Sequence, residues 1–106
     1  MNTFPTSEPW WLYLLLCSDN SIYVGIAKDA DARFKLHCRG NGAKYTRTHP
    51  PVRILARQEY PDHRSAAQAE HATKRLTPTQ KRQLALSLGA TELSLFVSSG
   101  PLTMDR

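Results

Sequence analysis

The sequence predicts an α+β fold, in which a small, mainly antiparallel three-stranded sheet is flanked by helices in the order β-β-α-β-α-α. Strand-like and helix-like segments are segregated along the chain, which is typical of this class. Two apolar runs, at 10–17 and 22–26, are separated by only four polar residues and therefore predict an antiparallel hairpin. The length of 106 residues suits one domain and is too short for two well-formed ones.

The hairpin is predicted from its residue types. The run 10–17 is rich in aromatic residues and apolar on both faces, which is typical of a buried strand. The sequence Ser-Asp-Asn-Ser follows it, and these residue types strongly favour a turn. Across a four-residue turn Leu16 pairs with Ile22. Tyr13 and Tyr23 therefore need not lie directly opposite each other.

The middle of the chain predicts a helix, a loop and a third strand. Asp29 is the predicted N-cap of the helix, which runs to about Cys38 and is stopped by Gly40. Residues 39–51 are rich in glycine, proline and positive charge, and they predict a long loop. Residues 52–60 alternate in part and predict a strand.

Two more helices are predicted from capping boxes. One box begins at Ser65, which is the predicted N-cap of an alanine-rich helix running to Leu76. The other begins at Thr77, with proline at the first helical position, and its helix runs to about Leu88 and ends at Gly89.

The domain organisation follows from these elements. We expect a flexible lead at 1–9, a folded domain at 10–88 and a polar tail at 89–106, within which 93–97 has strand-like sequence. No internal repeat or low-complexity tract interrupts this order.

The positive charge is concentrated in the middle of the chain. The net charge is +5, and thirteen of the fourteen lysines and arginines lie at 28–82, where only five acidic residues oppose them. A basic stretch of this kind suits a polyanionic partner such as nucleic acid. The alternative is a solvated basic face that serves only solubility.

Cysteine content and apolar runs predict a cytoplasmic protein that does not enter a membrane. Cys17 and Cys38 are too few for a disulfide scaffold, and we expect both to be small buried residues in a reducing compartment. The apolar run at 10–17 is too short to cross a bilayer, and the N-terminus lacks the features of a secretory signal.

The two tyrosines of the hairpin carry a family resemblance. Trp-Leu-Tyr, ending at Tyr13, and Tyr-Val-Gly, beginning at Tyr23, resemble the two half-motifs of the GIY-YIG endonuclease family, although the first half keeps only its tyrosine. From about Trp10 to Leu84 the chain is similar to the short, free-standing bacterial subgroup (UPF0213-like). The order of the predicted elements agrees with that resemblance.

Further residues match the family residue by residue. The family's helix arginine falls on Arg33, the histidine of the short subgroup on His37, and the single metal-binding glutamate on Glu70. The segment 42–46 also resembles a loop of that subgroup. Ala27 departs from the threonine that many relatives carry after the second half-motif, which could alter the packing of the loop that follows.

The resemblance implies a metal-dependent endonuclease that hydrolyses DNA. It assigns one Mg²⁺ or Mn²⁺ ion to Glu70, a hard oxygen ligand suited to such ions. Arg33 can donate two hydrogen bonds to phosphate oxygens. Either Tyr23 or His37 is the candidate general base, and Tyr13 orients the water or the phosphate.

The best candidate contact with the nucleic-acid backbone lies in the basic loop. Lys44, Arg47 and His49 can contact phosphates there, and Tyr45 can stack on an exposed base. We expect DNA as the partner, with RNA not excluded, and a monomeric protein. Because the chain has no room for an additional DNA-reading domain, we expect cleavage of low sequence specificity or selective for DNA structure.

Each candidate residue also has an ordinary structural explanation. Strand tyrosines are common core residues, His37 could cap the end of its helix, and Glu70 could pair with Lys74 at i+4. A non-catalytic nucleic-acid-binding module on the same fold is therefore the alternative function. A zinc site is not expected, because no pair of cysteines or histidines has structural-zinc spacing.

Overall fold

A computed structural model describes residues 8–90, which form a three-stranded antiparallel sheet covered by helices on both faces. The strands are β1 (Trp10–Cys17), β2 (Ile22–Ala27) and β3 (Pro51–Tyr60), in the sheet order β2-β1-β3. The helices are α1 (Ala30–Cys38), α2 (Lys44–Thr48), α3 (His63–Lys74) and α4 (Pro78–Ser87). The predicted α+β class is confirmed.

The register of the hairpin agrees with the prediction. Leu16 pairs with Ile22 next to the turn, Tyr13 lies opposite Gly25, and Tyr23 lies opposite Leu15. Cross-strand partners point to the same face of a sheet, and side chains alternate along each strand. The two tyrosines therefore share one face without being direct partners.

The central strand β1 separates two apolar clusters. Leu12, Leu14 and Leu16 belong to the cluster that includes Ala69 of α3 and Ala85 of α4. Trp11, Tyr13 and Leu15 of the same strand pack in a second cluster with Ala30 and Phe34 of α1 on the opposite face. This double coverage explains why β1 is apolar at every buried position instead of alternating with polar residues.

Helix α1 has the predicted boundaries. The Asp29 side chain accepts a hydrogen bond of 3.0 Å from the backbone N–H of Ala32, and Gly40 follows the helix with a φ of 80°. The left-handed conformation at this position favours glycine, which has no Cβ to clash with the backbone.

Part of the predicted loop is helical. Residues 39–51 were expected to be irregular, but they contain the five-residue helix α2. Its N-cap, Ala43, provides no capping side chain, so the usual sequence signal for a helix start is absent. The helix is instead held by Thr46, whose hydroxyl donates to the carbonyl of Ala43 and whose side chain is buried against α1.

Helix α3 begins earlier than expected. The predicted N-cap Ser65 is wrong, because the helix starts at His63 and Asp62 is its N-cap. The Asp62 carboxylate accepts hydrogen bonds of 2.8 Å from both the backbone N–H and the hydroxyl of Ser65. A serine and an aspartate can both cap a helix, and here the ionised group takes the position. The helix ends at Lys74, two residues before the predicted end at Leu76.

Helix α4 begins as predicted with a complete capping box. The Thr77 hydroxyl accepts from the Gln80 backbone at 3.2 Å, and the Gln80 side chain accepts from the Thr77 backbone at 2.9 Å. Gly89 follows the helix with a φ of 106°. The predicted strand at 93–97 lies outside the described residues.

The two cysteines differ in burial. Cys17 is buried at the end of β1 as expected, but Cys38 is exposed, so that part of the prediction is wrong. Cys38 lies next to the buried His37 on α1, and neighbouring helical residues point in different directions. Within residues 8–90, no helix is both long enough and apolar enough to span a bilayer.

Candidate active site

Tyr13 and Tyr23 lie side by side on the α1 face of the hairpin, with their ring centroids 6.4 Å apart. Tyr13 is 1% exposed and Tyr23 is half-buried. A Cβ at Gly25 would overlap the Tyr13 hydroxyl and lie 2.6 Å from its Cζ. The glycine of the second half-motif therefore gives the Tyr13 ring the space to cross the neighbouring strand.

His37 extends from α1 to the buried side of the Tyr13 hydroxyl. Its Nε2 lies 3.0 Å from the Tyr13 oxygen, and its Nδ1 lies 2.7 Å from the Thr46 hydroxyl oxygen. The histidine is 2% exposed, and its ring centroid is 5.2 Å from that of Tyr23. Both ring nitrogens have protein partners, so His37 can influence a reaction through Tyr13 more readily than by direct contact with water.

Gly42 gives the His37 ring its position, because a Cβ there would overlap Nδ1 and lie 2.6 Å from Cε1. We expect Gly42→Ala to displace the ring and to destabilise the protein by about 1–3 kcal/mol, as overpacking of a filled site does. Urea denaturation of the two proteins measures the difference. Gly40→Asn is the control, since asparagine tolerates a left-handed backbone and nothing lies within 4 Å of a Cβ at that position. Equal stability of Gly42→Ala and wild type would contradict the assigned packing.

Arg33 lies one helical turn before His37, so the two side chains share a face of α1. Arg33 is exposed, and its guanidinium makes no ion pair within residues 8–90. Its charge nevertheless lowers the pKa of the Tyr13 and Tyr23 hydroxyls and of the His37 ring. Arg33 is therefore within electrostatic reach of all three groups and free to bind an anion.

Burial is the largest influence on the pKa of Tyr13, Tyr23 and His37. It raises the pKa of both tyrosines above that of an ordinary phenol, and it lowers the pKa of His37 below that of an ordinary imidazole. For Tyr23 the next largest effect is the positive charge of Lys74, which lowers the pKa. Near neutral pH the two phenols and the imidazole are therefore uncharged.

Glu70 places a carboxylate at the edge of this cluster. Its side chain is 24% exposed, and it forms an i,i+4 ion pair of 3.0 Å with Lys74 on α3. The Lys74 ammonium also lies 6.0 Å from the centre of the Tyr23 ring. Burial is the largest influence on the pKa of both Tyr13 and Tyr23, and the charge of Glu70 raises it further, so this carboxylate lies within electrostatic range of both hydroxyls.

The donor set fits a hard divalent cation held by few protein ligands. Within residues 8–90, no group of three histidine, cysteine or acidic side chains is arranged to hold a metal ion. Mg²⁺ commonly uses one or two carboxylates, with water and substrate phosphate completing its coordination. Glu70, partly exposed beside a basic surface, suits that pattern and does not suit a zinc site built from several nitrogen or sulfur ligands.

Helix α2 lies beside Tyr23 and carries two basic residues. Tyr45 is 37% exposed, and its ring stacks on Tyr23 at 5.9 Å and on His49 at 4.0 Å. Lys44 and Arg47 are exposed on the same short helix. A shallow pocket of about 240 Å³ adjoins this stack and is lined by Ile22, Tyr23, Val24, Tyr45, Lys74 and Lys81.

The structure thus brings the predicted catalytic residues together at one site, and it adds Thr46 to them. Tyr13, Tyr23 and His37 are in ring contact, while Arg33 and Glu70 act on them through charge. Thr46 was not singled out from the sequence, although it lies in the segment 42–46 that carries the resemblance. Its distinguishing feature is its burial beside His37, and no spacing rule encodes that contact.

Comparison with known proteins shows the family of this chain. A family model described as the GIY-YIG catalytic domain matches residues 9–83. The chain belongs to the GIY-YIG family. GIY-YIG domains form a family of nucleases, which implies nucleic acid as the substrate class. The resemblance noted in the sequence is confirmed.

Several relatives of this GIY-YIG chain are UPF0213 proteins. One from Xanthomonas axonopodis pv. citri is 54% identical over 74 residues, which cover 70% of this chain and 72% of the relative. One from Cupriavidus necator is 47% identical over 83 residues, which cover 78% and 90% respectively.

Two solved structures resemble this GIY-YIG domain. The solution structure of a UPF0213 protein from Bacillus halodurans is 39% identical, with a TM-score of 0.50, and the match covers 77% of this chain and 86% of that one. A protein from E. faecalis is 32% identical, with a TM-score of 0.53 and coverage of 79% and 90%. These matches agree with the observed α+β fold.

Proposed function

We propose that this chain is a divalent-metal-dependent endonuclease that hydrolyses DNA phosphodiester bonds with low sequence specificity or with selectivity for DNA structure. The observation that carries the proposal is the position of Glu70, a carboxylate that pairs with Lys74 and whose charge, together with that of Arg33, acts on both tyrosines on a basic surface. A protein that only binds nucleic acid gains nothing from a negative charge at such a place, because the charge repels phosphate.

The residues have complementary roles in this proposal. Arg33 donates hydrogen bonds to the phosphate oxygens as their negative charge increases. Glu70 would hold one Mg²⁺ or Mn²⁺ ion, and such an ion would supply polarisation of the phosphate and charge stabilisation of the leaving oxygen. Tyr13 orients the attacking water, with His37 bonded to it from the buried side.

Tyr23 is the better-placed general base for the water. It is half-buried and can contact solvent, whereas both nitrogens of His37 are engaged. Burial opposes loss of the Tyr23 proton because it raises the pKa, but the positive charges of Lys74 and Arg33 lower that pKa. As a base Tyr23 acts in its phenolate form: the phenol first loses its proton to the solvent that reaches it, and the phenolate oxygen then takes a proton from the attacking water as the new P–O bond forms.

A non-catalytic binding module remains the second candidate because Glu70 pairs with Lys74 at 3.0 Å. The alternative assigns the glutamate to that ion pair and the stack of Tyr23, Tyr45 and His49 to contact with nucleic acid. The two candidates differ in whether any phosphodiester bond is broken.

Cleavage of a closed circular plasmid decides between the two candidates. We expect purified protein to nick or linearise it with Mg²⁺ or Mn²⁺ and to leave it intact with EDTA, and a circle without ends reports endonuclease activity specifically. A branched DNA of the same length and base composition as a linear duplex then tests structural selectivity. DNA binding without cleavage in either metal would support the binding module and contradict the enzyme.

The basic residues of α2 are expected to contribute to DNA affinity and to its dependence on salt concentration. Lys44→Ala with Arg47→Ala should weaken binding to unrelated duplexes by similar factors, because phosphate contacts carry no sequence information. On B-form DNA the slope of log K against log salt should fall by about 0.9 for each phosphate that is no longer neutralised. Turnover at saturating substrate should change little, since neither residue belongs to the tyrosine, arginine and glutamate cluster.

Affinity over a salt series, on two unrelated sequences, measures this effect. The matched control is Lys28→Ala with Arg57→Ala, which removes the same charge from side chains already paired with Glu8 and Asp31. An equal change of slope in both double variants would indicate a general charge effect instead of specific contacts from α2.

A further inference from the structure

Thr46 belongs to a buried chain of hydrogen bonds that reaches the candidate active site. Tyr13, His37 and Thr46 are 1%, 2% and 1% exposed. The chain runs from the Tyr13 hydroxyl to His37 Nε2 at 3.0 Å, and from His37 Nδ1 to the Thr46 hydroxyl at 2.7 Å. The Thr46 oxygen then lies 2.9 Å from the Ala43 carbonyl, so the chain ends on the backbone.

The carbonyl at the end of the chain sets the direction of every hydrogen bond. A carbonyl can only accept, so the single Thr46 hydroxyl hydrogen points to Ala43. The Thr46 oxygen must then accept from His37, which places the hydrogen of the neutral ring on Nδ1. The bare Nε2 accepts the hydroxyl hydrogen of Tyr13 in turn.

The opposite direction fits the distances less well. If Thr46 donated to His37, two oxygen lone pairs would face each other across the 2.9 Å between Thr46 and the Ala43 carbonyl. In the favoured direction the Ala43 backbone N–H faces the Nδ1 hydrogen instead of donating to Nδ1, and at 3.3 Å this is the longest contact of the set, so its loss costs least. Burial and the charge of Arg33 lower the pKa of His37 and keep the ring neutral, as this pattern requires.

We propose that Thr46 is a positioning residue, which holds the hydrogen of His37 on Nδ1 and thereby directs the Tyr13 hydroxyl hydrogen away from the site. The Tyr13 oxygen then presents lone pairs to the site. It accepts a hydrogen bond from the attacking water and does not donate one to the phosphate. This consequence for catalysis rests on the proposed nuclease function, whereas the state of the ring does not.

The position of Thr46 also connects the expected DNA contacts of α2 with the candidate active site. Thr46 lies on α2 between Tyr45 and Arg47, both exposed and both expected to contact DNA. A displacement of this five-residue helix would move the hydrogen-bond acceptor of His37. The same element therefore presents the DNA contacts and fixes the orientation of the Tyr13 hydroxyl.

Nitrogen-15 NMR of the His37 ring at neutral pH tests the assignment directly. We expect Nδ1 to carry the hydrogen and Nε2 to have none in the wild-type chain. A wild-type ring with its hydrogen on Nε2 would overturn the proposal. Absence of plasmid cleavage would overturn the proposed function alone, because the ring nitrogens report the role of Thr46 without any turnover.

Substitutions at Thr46 test the consequence for turnover. Thr46→Val keeps the shape but removes the hydroxyl, and we expect kcat to fall about 10- to 100-fold, the range for partners that orient a metal-binding imidazole. DNA affinity should not change, and Thr46→Ser should restore both the rate and the Nδ1 hydrogen. Thr48→Val is the matched control, since this exposed hydroxyl bonds only within its own segment.

Two results would contradict this role. Thr46→Val with wild-type kcat and the hydrogen still on Nδ1 would show that the threonine positions nothing. Thr46→Ser as impaired as Thr46→Val would show that packing of the methyl group matters instead of the hydroxyl. If Thr46→Val does not fold, the serine variant and the wild-type ring spectrum together still decide the proposal.

Discussion

Glu70→Gln should abolish DNA cleavage while the fold and the affinity for DNA stay nearly unchanged. The amide keeps the shape of the side chain but loses the charge that a divalent cation requires. A bound metal contributes several kcal/mol of charge stabilisation in the transition state, so we expect a loss of about 10³-fold or more in turnover. The measurement is plasmid cleavage with saturating Mg²⁺, with DNA affinity determined separately.

The matched control for this experiment is Glu59→Gln. Glu59 is exposed on β3 opposite Trp11, and its replacement removes the same charge from a residue that is not among those whose charge shifts the pKa of Tyr13 or Tyr23. Wild-type cleavage by Glu70→Gln would refute the single-metal proposal. The ion pair with Lys74 would then be the only role assigned to this residue. Loss of cleavage in both variants would indicate a general effect of charge.

Arg33→Ala should lower turnover by about 10²–10³, the usual cost of removing one donor that stabilises charge in the transition state. The guanidinium has no ion pair within residues 8–90, so its loss exposes no unpaired carboxylate and should leave the fold intact. DNA affinity should fall far less than turnover, because the phosphodiester, already singly negative when it binds, gains further negative charge only on the reaction path. Single-turnover kinetics at saturating enzyme measures the chemical step.

Lys35→Ala provides the comparison for Arg33→Ala. Lys35 is exposed on the same helix, two residues further on, and it therefore points away from the face shared by Arg33 and His37. We expect its kcat to match that of the wild type. If Arg33→Ala instead raised KM and left kcat unchanged, Arg33 would be a substrate-binding residue and not a catalytic one.

The hairpin, α1 and α4 could be predicted from the sequence because their signals are local. A polar four-residue turn sets the register that places Tyr13 opposite Gly25. Asp29 caps α1, and the box beginning at Thr77 starts α4, each through hydrogen bonds that span three residues. Steric and hydrogen-bonding preferences over such short distances change little with tertiary context.

The candidate catalytic residues could also be predicted from the sequence, because the family resemblance assigns them. Gly25 illustrates its physical basis, since the glycine of the half-motif makes space for the Tyr13 ring across the strand pair. The spacing of Arg33 and His37 places both on one face of α1. What the spacing did not reveal was which of these side chains faces solvent.

Tertiary structure alone decided the features that depend on contacts between distant segments. Helix α2 forms without a capping side chain because Thr46 is held against His37, nine residues away in sequence. His37 lies behind Tyr13, 24 residues away, where both ring nitrogens are engaged with protein groups and neither is left to take a proton from water. A sequence records local preferences and periodicity, whereas these positions follow from how the packed elements satisfy buried polar groups, which only the assembled fold determines.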